Sequence, residues 1–382
     1  MSPARKVALQ VLRKLERGGH ASDLLRQHSE GLDPRDASLA AEIVFGCLRR
    51  QAQLDHLITR LSGQTPATLD AEVRIAVRMG IYQLRFLDRI PPHAAVNESV
   101  ELVKQAHRRS AAGFVNALLR QAVDVPLIWP DRAVALCQPA WLLDRWEKHF
   151  GRDIAETIAR AFLEPPAVYV HIPHGTTPDS FSVEPTDVEG CFKLLSGQPQ
   201  GFRIQDIGSQ SIVSLLELQE GHRFLDLCAA PGNKTAQALE KGVWAVACDI
   251  HPVRLSWLKQ LPCNLVVLDA TQPLPFCPLF DRILLDAPCS GTGTLGRNPE
   301  IRWRLRETDL AQYHKKQVAM LSRALEVLAP GGKLVYSTCS LEPEENDEVV
   351  MEALGSMPEK IYRRLPGKDP GDGFFAVVIP SG

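Results

Sequence analysis

Two cysteines stand at the ends of two apolar, strand-like runs, fifty residues apart. Cys289 ends the stretch "FDRILLDAPC", and Cys339 lies in "KLVYSTCS". A cysteine thiolate is a strong nucleophile and can form a covalent intermediate. A lone cysteine is usually a small buried hydrophobe, but the equivalent positions of these two favour a chemical role. Residue type and position do not rank one thiol above the other.

Four acids occupy similar positions at or near the ends of strand-like runs: Asp226, Asp249, Asp269 and Asp286. One acid there is usually a helix cap or a turn residue. Because ligands bind beyond the carboxyl ends of strands in an open α/β sheet, we expect the four acids to ring one crevice. Asp249 follows the second strand, where nucleotide-binding sheets carry the acid that accepts bonds from ribose hydroxyls.

A loop rich in small residues, "CAAPGNKT" at 228–235, follows the first strand-like run. Gly232 lets the backbone approach a ligand closely, and N–H groups at the start of the next helix can bind an anionic group. The loop has neither the G-x-G-x-x-G pattern nor P-loop spacing, which disfavours dinucleotides and nucleoside triphosphates. The residues alone therefore predict a nucleoside-containing cofactor near two thiols.

The elements that must position these residues form a β-α-β pattern after about residue 205. Its runs are short, apolar and mostly without alternation, as buried parallel strands require. Helix-like stretches separate several of them, and "DGFFAVVIP" near the C-terminus is expected to close the sheet as an edge strand. The runs are "HRFLDLCAA", "VWAVACDI", "CNLVVLDA", "FDRILLDAP" and "GGKLVYSTCS".

The first 120 residues are predicted to be helical, with apolar positions at i, i+3 and i+4 in "AEVRIAVRMGIYQLRFL". Arginines 74, 78, 85 and 89 fall on another stripe of the same helix. Residues 1–120 hold 18 Lys and Arg against 12 Asp and Glu, within a chain of net charge −2. The stripe is either a solvated helix face or a surface that faces RNA.

Composition excludes several classes of protein. No apolar stretch approaches the roughly 18 residues that a membrane span needs, and the charged N-terminus does not resemble a signal peptide. The 9 cysteines include no C-x-x-C pair, which argues against a zinc ribbon and a disulfide scaffold. We therefore expect a cytoplasmic protein with reduced thiols, no metal and no membrane association.

Four stretches together closely resemble the motifs of the Sun/Fmu family of RNA (cytosine-5)-methyltransferases: "LDLCAAPGNKT", "DAPCSGTGTLGRNPEIRWR", "LAPGGKLVYSTCSLEPEENDEVV" and "DGFF". The N-terminal region, with "DRIPPHAAVNESVELVK" and "FVNALLR", resembles a NusB-like RNA-binding domain. The resemblance implies a class I, Rossmann-like α/β methyltransferase domain preceded by an all-α domain. We expect a NusB-like domain over residues 1–125, a linker and small α+β subdomain over 126–205, and the catalytic domain over 206–382.

The resemblance also implies an activity: transfer of a methyl group from S-adenosylmethionine to C5 of a cytosine in 16S ribosomal RNA, by a monomer. Cys339 would be the nucleophile, Cys289 would promote release of the product, and Asp286 would be the acid near the target base. The expected cofactor-binding residues are Cys228, Ala229, Ala230, Pro231, Gly232, Asn233, Lys234, Asp249, Asp269 and Asp286, and the candidate RNA-binding residues are Arg74, Arg78, Arg85, Arg297 and Arg302.

The chain departs from the family pattern at Asn233 and at "VYVHIP" (168–173), where relatives tend to carry an "LRVN"-like stretch, and two roles stay open. Asn233 stands where the family usually has a second glycine, and asparagine tolerates a positive φ better than most residues. Lys234 either stabilises the loop or approaches the cofactor or the base. Trp303 either positions RNA or belongs to the core. "EPEENDEVV" at 342–350 is predicted to be a charged helix start without a chemical role.

Two rival functions remain at this stage. One is the same chemistry on transfer RNA, because the helical domain favours ribosomal RNA only by resemblance. The other is a non-catalytic RNA-binding assembly factor in which the helical domain is the working part. The series of acids and the two thiols argue against the second rival.

Overall fold

A computed structural model describes residues 2–176 and 180–381 of the chain. The chain divides into two compact units. The first comprises Met1–Pro165 together with Leu295–Arg304, and the second comprises Pro166–Thr294 together with Leu305–Gly382.

The first unit is all-helical, as predicted. Its core combines apolar residues of the helices between Ala4 and Val125. Asp33 caps the third helix by accepting a hydrogen bond from the Arg35 N–H at 2.8 Å. The helices are α1 (Pro3–Leu15), α2 (Ala21–His28), α3 (Pro34–Arg49), α4 (Gln51–Ser62), α5 (Ala71–Phe86), α6 (Pro92–Gln105), α7 (Ala112–Ala122), α8 (Arg132–Leu136), α9 (Ala140–Phe150) and α10 (Arg152–Ala161), with short 3-10 helices at Pro66–Thr68, Arg109–Ala111 and Ile301–Trp303.

The second unit contains a small antiparallel sheet that precedes the main one. Its strands are β1 (Tyr169–His171), β2 (Phe181–Pro185), β3 (Cys191–Gly197) and β4 (Arg203–Ile204), in the order β2-β3-β1-β4. The middle region expected over residues 126–205 is thus divided at Pro165: its helices pack with the first unit and its strands with the second.

The main sheet has seven strands in the order β10-β11-β9-β8-β5-β6-β7. Strands β5 to β9 run parallel, and β11 is antiparallel to both of its neighbours. The elements are β5 (Arg223–Asp226), β6 (Trp244–Asp249), β7 (Asn264–Val267), β8 (Phe280–Asp286), β9 (Leu328–Thr338), β10 (Ile361–Arg364) and β11 (Phe374–Pro380), with helices α11 (Ile207–Ser214), α12 (Asn233–Leu239), α13 (Pro252–Leu255), α14 (Leu310–Glu326) and α15 (Asp347–Leu354) and 3-10 helices at Ser256–Leu258, Thr292–Thr294, Glu307–Asp309 and Pro343–Glu345.

Both faces of this sheet are buried. Leu225, Ile283 and Phe375 pack into one apolar cluster, whereas their chain neighbours Phe224 and Leu284 pack into another. Because successive side chains of a strand point to opposite faces, the two clusters lie on the two sides of the sheet. This burial explains why the strands appear in the sequence as unalternating apolar runs.

The C-terminal strand does not lie at the edge, contrary to the prediction. The short strand β10 (Ile361–Arg364) pairs with β11 and takes the outer position. The sequence "IYRR" is polar and half-exposed, as an edge strand permits. Six consecutive residues of β11 are buried instead, which matches an interior position.

Candidate active site

The candidate site lies where the strand order changes direction, between β5 and its neighbours β6 and β8. Such a switch point leaves a crevice beyond the carboxyl ends of the strands. The loop after β5 holds residues 228–232, Asp249 ends β6, and Asp286 ends β8. Both cysteines singled out in the sequence follow adjacent parallel strands, β8 and β9.

The two thiols are close together. Cys289 Sγ lies 3.4 Å from Cys339 Sγ, and both residues are half-buried. The hydrogen bond with Cys339, together with burial, raises the pKa of the Cys289 thiol well above its usual value. Cys289 is therefore held as a neutral thiol near neutral pH, which suits a proton donor better than a nucleophile.

Close backbone packing supports the turn after Cys289. Gly293 N–H donates to the Cys339 carbonyl at 2.9 Å, and the Gly293 carbonyl accepts from Gly373 N–H at 2.8 Å. A Cβ at residue 293 would lie 2.5 Å from the Gly373 oxygen and 2.7 Å from the Cys339 oxygen. Only glycine fits here, so "SGTG" maintains the approach of three chain segments.

Asp286 is paired on both oxygens. Ser337 Oγ donates to Oδ1 at 2.8 Å, and Lys234 Nζ donates to Oδ2 at 2.6 Å. Burial acts to lower the Lys234 pKa, but the attraction of the Asp286 carboxylate outweighs it, and the pKa is raised. Lys234 thus remains an ammonium ion at the centre of the crevice.

The loop after β5 is held by its own backbone. Ala229 N–H donates to the Cys248 carbonyl at 2.8 Å, and Gly232 N–H donates to the Ala229 carbonyl at 2.7 Å. Gly232 has a φ of 106°, whereas Asn233 is the first residue of α12. The left-handed conformation therefore falls on the glycine, and asparagine at 233 needs no positive φ.

The acids after β6 and β7 organise the turns that follow them. Asp249 accepts from the N–H groups of His251 at 2.8 Å and Ala230 at 3.3 Å. Asp269 accepts from Thr271 N–H at 2.9 Å and from its hydroxyl at 2.8 Å. Exposed Ile250 follows Asp249 directly in the chain. Carboxylate acceptors beside an exposed apolar side chain suit a ribose with an attached base.

Asp226 does not join the ring of acids expected from the sequence. It is 1 % exposed and accepts a hydrogen bond from the Thr235 hydroxyl at 2.7 Å. Burial is the main cause that raises the pKa of Asp226 to about 7. The carboxyl group thus anchors the start of α12, and the other three acids remain near the crevice.

The arginine stripe of α5 is largely engaged within the helical unit. Arg78 forms a bidentate pair with Asp55 at 2.7 Å, and Arg74 pairs with Glu16 at 2.6 Å. Arg85 donates to backbone carbonyls at the end of α7 and beyond. These contacts neutralise or occupy the guanidinium groups, so the stripe offers less positive charge to RNA than the sequence suggests.

Arg302 is 1 % exposed, which contradicts its prediction as an RNA-binding residue. Its guanidinium donates to the carbonyls of Leu295 at 2.7 Å, Cys137 at 3.0 Å and Phe162 at 3.4 Å. Arg297 is half-buried on the same segment. Trp303 Nε1–H donates to the Leu48 carbonyl at 2.8 Å, which favours the packing role among its two alternatives.

The segment 342–350 contains a residue whose position the sequence did not reveal. Glu345 is fully buried, and its carboxylate accepts hydrogen bonds from the loops that carry both cysteines. Ser337, which binds Asp286, was also missed. A buried glutamate in a charged stretch has no local sequence signal, because its burial depends on segments far away in the chain.

Comparison with known proteins places the chain in a family. A family model described as "16S rRNA methyltransferase RsmB/F" matches residues 213–370, and one described as "NusB family" matches residues 2–124. The protein named ribosomal RNA small subunit methyltransferase B of Citrobacter koseri is 33% identical and covers 97% of both chains. The chain belongs to the RsmB/F family of 16S rRNA methyltransferases.

Other members of the RsmB/F family show the same coverage. The proteins of that name from Escherichia coli O17:K52:H18 and Klebsiella pneumoniae are each 33% identical over 97% of this chain. The crystal structure of PH0851 aligns over 99% of this chain with a TM-score of 0.82 at 21% identity. A methyltransferase homologue from Pyrococcus horikoshii aligns over 67% with a TM-score of 0.56 at 26% identity. The PH0851 alignment and the two family models together confirm the predicted two-part fold.

Two further features bear on the class of protein. None of the helices formed by the described residues is long and apolar enough to cross a membrane. Within residues 2–176 and 180–381, no three His, Cys, Asp or Glu side chains are grouped as a metal site would require.

Proposed function

We propose that this protein transfers a methyl group from S-adenosylmethionine to C5 of a cytosine in 16S ribosomal RNA, through a covalent bond between Cys339 and C6. The observation that carries the proposal is the pair of thiols, 3.4 Å apart, beyond two adjacent strands. Their position next to Asp286, in a member of a 16S rRNA methyltransferase family, supports a target base at this end of the crevice.

The residues of the crevice fit the proposed cofactor. S-adenosylmethionine, when bound, supplies an electrophilic methyl group on a sulfonium centre. Asp249 would accept bonds from its ribose, Asp269 would lie by the adenine, and residues 228–234 would line the remainder. The raised pKa of Cys228, caused chiefly by burial, keeps that thiol neutral. We assign Cys228 a packing role with backbone contact to the cofactor.

Cys339 would act as the nucleophile. C5 of cytosine is a poor nucleophile, and addition of the Cys339 thiolate to C6 makes C5 enamine-like. After methylation, a water molecule takes the C5 proton and Cys339 Sγ departs with the electrons of the C6–S bond, which restores the aromatic ring. Attack on C6 requires access above the ring face, so the base must be unstacked from its neighbours.

Asp286 and Lys234 would handle the charge that develops on the ring. Asp286 lies against the Lys234 ammonium group, and its oxygens can accept a hydrogen bond from the exocyclic amine of cytosine. The ammonium group offsets the negative charge that builds on the ring when sulfur adds to C6. This arrangement assigns Lys234 a role near the base in addition to support of the loop.

Cys289 would assist release of the product. Its pKa is raised by the hydrogen bond with Cys339, so it carries a proton when the Cys339 thiolate leaves. A neutral thiol 3.4 Å from the leaving sulfur can donate that proton or a hydrogen bond. The two cysteines thus take complementary parts in opening and closing the covalent bond.

Substitution of each cysteine tests this assignment. Cys339→Ala should bind cofactor but lose methyl transfer. Full activity in that variant would refute the assignment of Cys339 as the nucleophile. Cys289→Ala should instead accumulate a covalent RNA adduct, seen as a shifted band that survives denaturation on a gel. Each variant removes one thiol and keeps the other, so each serves as a control for the other.

The target RNA requires a separate experiment. Bisulfite sequencing of ribosomal and transfer RNA from a deletion strain should show loss of methylation at a cytosine in 16S ribosomal RNA. Loss confined to transfer RNA would favour that substrate instead. Absence of cofactor binding in a calorimetric titration would favour a non-catalytic assembly factor. We place the protein with ribosomal RNA in the cytoplasm, as a monomer.

We also propose where the helical unit meets RNA. Gln10, Arg13, Lys14, Arg17 and His28 line one cavity of about 330 Å³ between α1 and α2. Of these, Arg13 pairs with Glu72 at 3.3 Å. Lys14 and Arg17 have no ion-pair partner among residues 2–176 and 180–381, unlike Arg74 and Arg78 of α5. Unpaired basic groups around a concave surface suit an RNA phosphate.

A further inference from the structure

Glu345 receives a hydrogen bond from every side of its buried carboxylate. Ser290 donates to it twice, from the backbone N–H to Oε1 at 2.8 Å and from the hydroxyl to Oε2. The Ser340 hydroxyl donates to Oε2, and Gln317 Nε2 donates to Oε1 at 3.1 Å. Glu345 itself has no exposed surface. A fully buried carboxylate is costly unless such donors surround it.

The donors lie next to the two thiols in the chain. Ser290 follows Cys289, and Ser340 follows Cys339. The two serine hydroxyls are also 3.1 Å apart from each other. One carboxylate therefore joins the residues directly after both cysteines, although the cysteines are fifty positions apart.

Further contacts make this junction rigid. Gln317, on α14, also donates to the Pro288 carbonyl at 2.9 Å, directly before Cys289. Tyr336, on β9, donates its hydroxyl to the Glu345 carbonyl at 2.6 Å. The segment 288–290 is thus held on both sides of Cys289, and Glu345 is fixed to the strand that leads to Cys339.

Joining two turns does not by itself explain why the side chain at position 345 is an ionisable carboxyl group. Burial raises the pKa of the Glu345 carboxyl, whereas the hydrogen bonds from Ser290, Ser340 and Gln317 act to lower it. Two turns could be joined by neutral side chains at lower cost. The Glu345 carboxylate accepts four hydrogen bonds and thereby fixes the positions of the donor groups of Ser290, Ser340 and Gln317.

We propose that Glu345 is a positioning residue for methyl transfer, which sets the separation of the Cys289 and Cys339 thiols by joining Ser290 to Ser340. The inference rests on the proposed function, because it assumes that both thiols act in one reaction. Glu345 does not touch the substrate in this role. It acts through the two loops, and its effect appears in the steps in which the thiols cooperate.

Glu345→Gln keeps the size of the side chain but replaces one acceptor oxygen by a donor amide that faces the serine hydroxyls. The thiols should then be misplaced, and small displacements of reacting groups lower rates by up to about 10²-fold. We expect turnover per folded molecule to fall about 10- to 100-fold, with the KM for RNA and the Kd for cofactor nearly unchanged. We also expect a larger share of RNA trapped as covalent adduct, because Cys289 no longer meets the leaving sulfur.

Glu348→Gln is the matched control, since Glu348 is exposed and lies three residues further along. If Glu345→Gln does not fold, Ser290→Ala and Ser340→Ala each remove one side of the junction and should lower turnover by smaller factors. The inference would be overturned if the folded variants matched the wild type both in turnover per folded molecule and in the share of RNA trapped as adduct. If neither the wild type nor Glu348→Gln transferred a methyl group to RNA, the proposed function itself would be refuted.

Discussion

At the scale of single residues, chemical character here follows from environment more than from residue type. Nine cysteines occur in the chain, yet only two lie within 3.4 Å of each other beside a charged pair, as far as the described residues extend. The same holds for the acids. Asp286 is held in the crevice by Lys234, whereas Asp226, of the same type and at an equivalent strand end, is buried.

Lys234 provides a first prediction at this scale. Lys234→Met should remove the cation beside Asp286, and loss of one preorganised charged donor lowers turnover by about 10²- to 10³-fold. Ser337→Ala removes a neutral donor from the same carboxylate and should cost less, about tenfold at most. Single-turnover methylation with saturating cofactor measures both. Equal losses in the two variants would argue against a special role for the lysine charge.

Asp226 predicts a dependence of stability on pH. Its pKa in the folded protein is about 7, above the ordinary value of 3.8, so the folded state binds more protons between these values. The stabilisation that Asp226 contributes is therefore fully present below 3.8 and is lost as pH rises through about 7. Asp226→Asn should flatten this fall, because asparagine does not titrate.

Urea unfolding of both proteins at about pH 5 and about pH 8 measures the effect. The loss of unfolding free energy between the two values should be smaller in Asp226→Asn than in the wild type. An equal loss in both proteins would mean that other groups cause the pH dependence.

At the scale of elements, loops at strand ends position the candidate active site. Three segments meet at Gly293, where a β-carbon would lie 2.5 Å from the Gly373 carbonyl oxygen. The strands β8, β9 and β11 are adjacent in the sheet, so the loops that flank them are brought together by strand pairing. No single loop sequence contains this information by itself.

Gly293→Ala tests the close approach of these loops. The added methyl group must displace the backbone near Cys339, which should lower turnover and cost about 1–3 kcal/mol of stability by overpacking. Gly113→Ala is a control for general loss of a glycine, because no atom lies within 4 Å of its expected Cβ and its φ is not positive. Unchanged turnover in Gly293→Ala would show that the approach is not required for catalysis.

The basic cavity between α1 and α2 predicts a specific salt dependence. Lys14→Glu should weaken RNA binding and reduce the slope of log affinity against log salt by roughly 0.7 or more for each phosphate that the protein no longer neutralises. Lys6→Glu makes the same charge change on the same helix, but Lys6 does not line the cavity. Equal effects of the two substitutions would indicate a diffuse field and not a binding site.

At the scale of the whole molecule, one short segment from the C-terminal half of the chain belongs to the helical unit. Leu295–Arg304 belongs to the first, helical unit, whereas the residues before and after this segment belong to the second unit. Arg302 is the centre of this packing, with three backbone carbonyls as acceptors. Burial lowers the pKa of Arg302 to about 9, so charge is retained at neutral pH.

Arg302→Met should therefore act on stability and not on RNA affinity. Three buried carbonyls lose their donor, and unpaired buried groups cost about 1–3 kcal/mol each; we expect a loss of about 3 kcal/mol in total after partial relaxation. Lys316→Met, at an exposed position, is the control. A weakened affinity for RNA in folded Arg302→Met, without loss of stability, would restore the original expectation of an RNA contact.

The two-part architecture and most residues of the candidate site, including the loop after β5, were predictable from the amino-acid sequence alone. These features are local: helical periodicity, buried strand runs and motifs are contained in short stretches of chain.

Which side chains meet and which are buried could not be predicted in this way, because both depend on the folded arrangement of distant segments. The convergence of Cys289 and Cys339, the pairing of the α5 arginines, and the burial of Asp226, Arg302 and Glu345 depend on segments far apart in the chain. The residue type of a charged side chain does not show whether that side chain lies at the surface or in the interior. Whether its charge faces solvent or a buried partner is set by the packing of distant elements, because desolvation and long-range hydrogen bonds exist only in the folded chain.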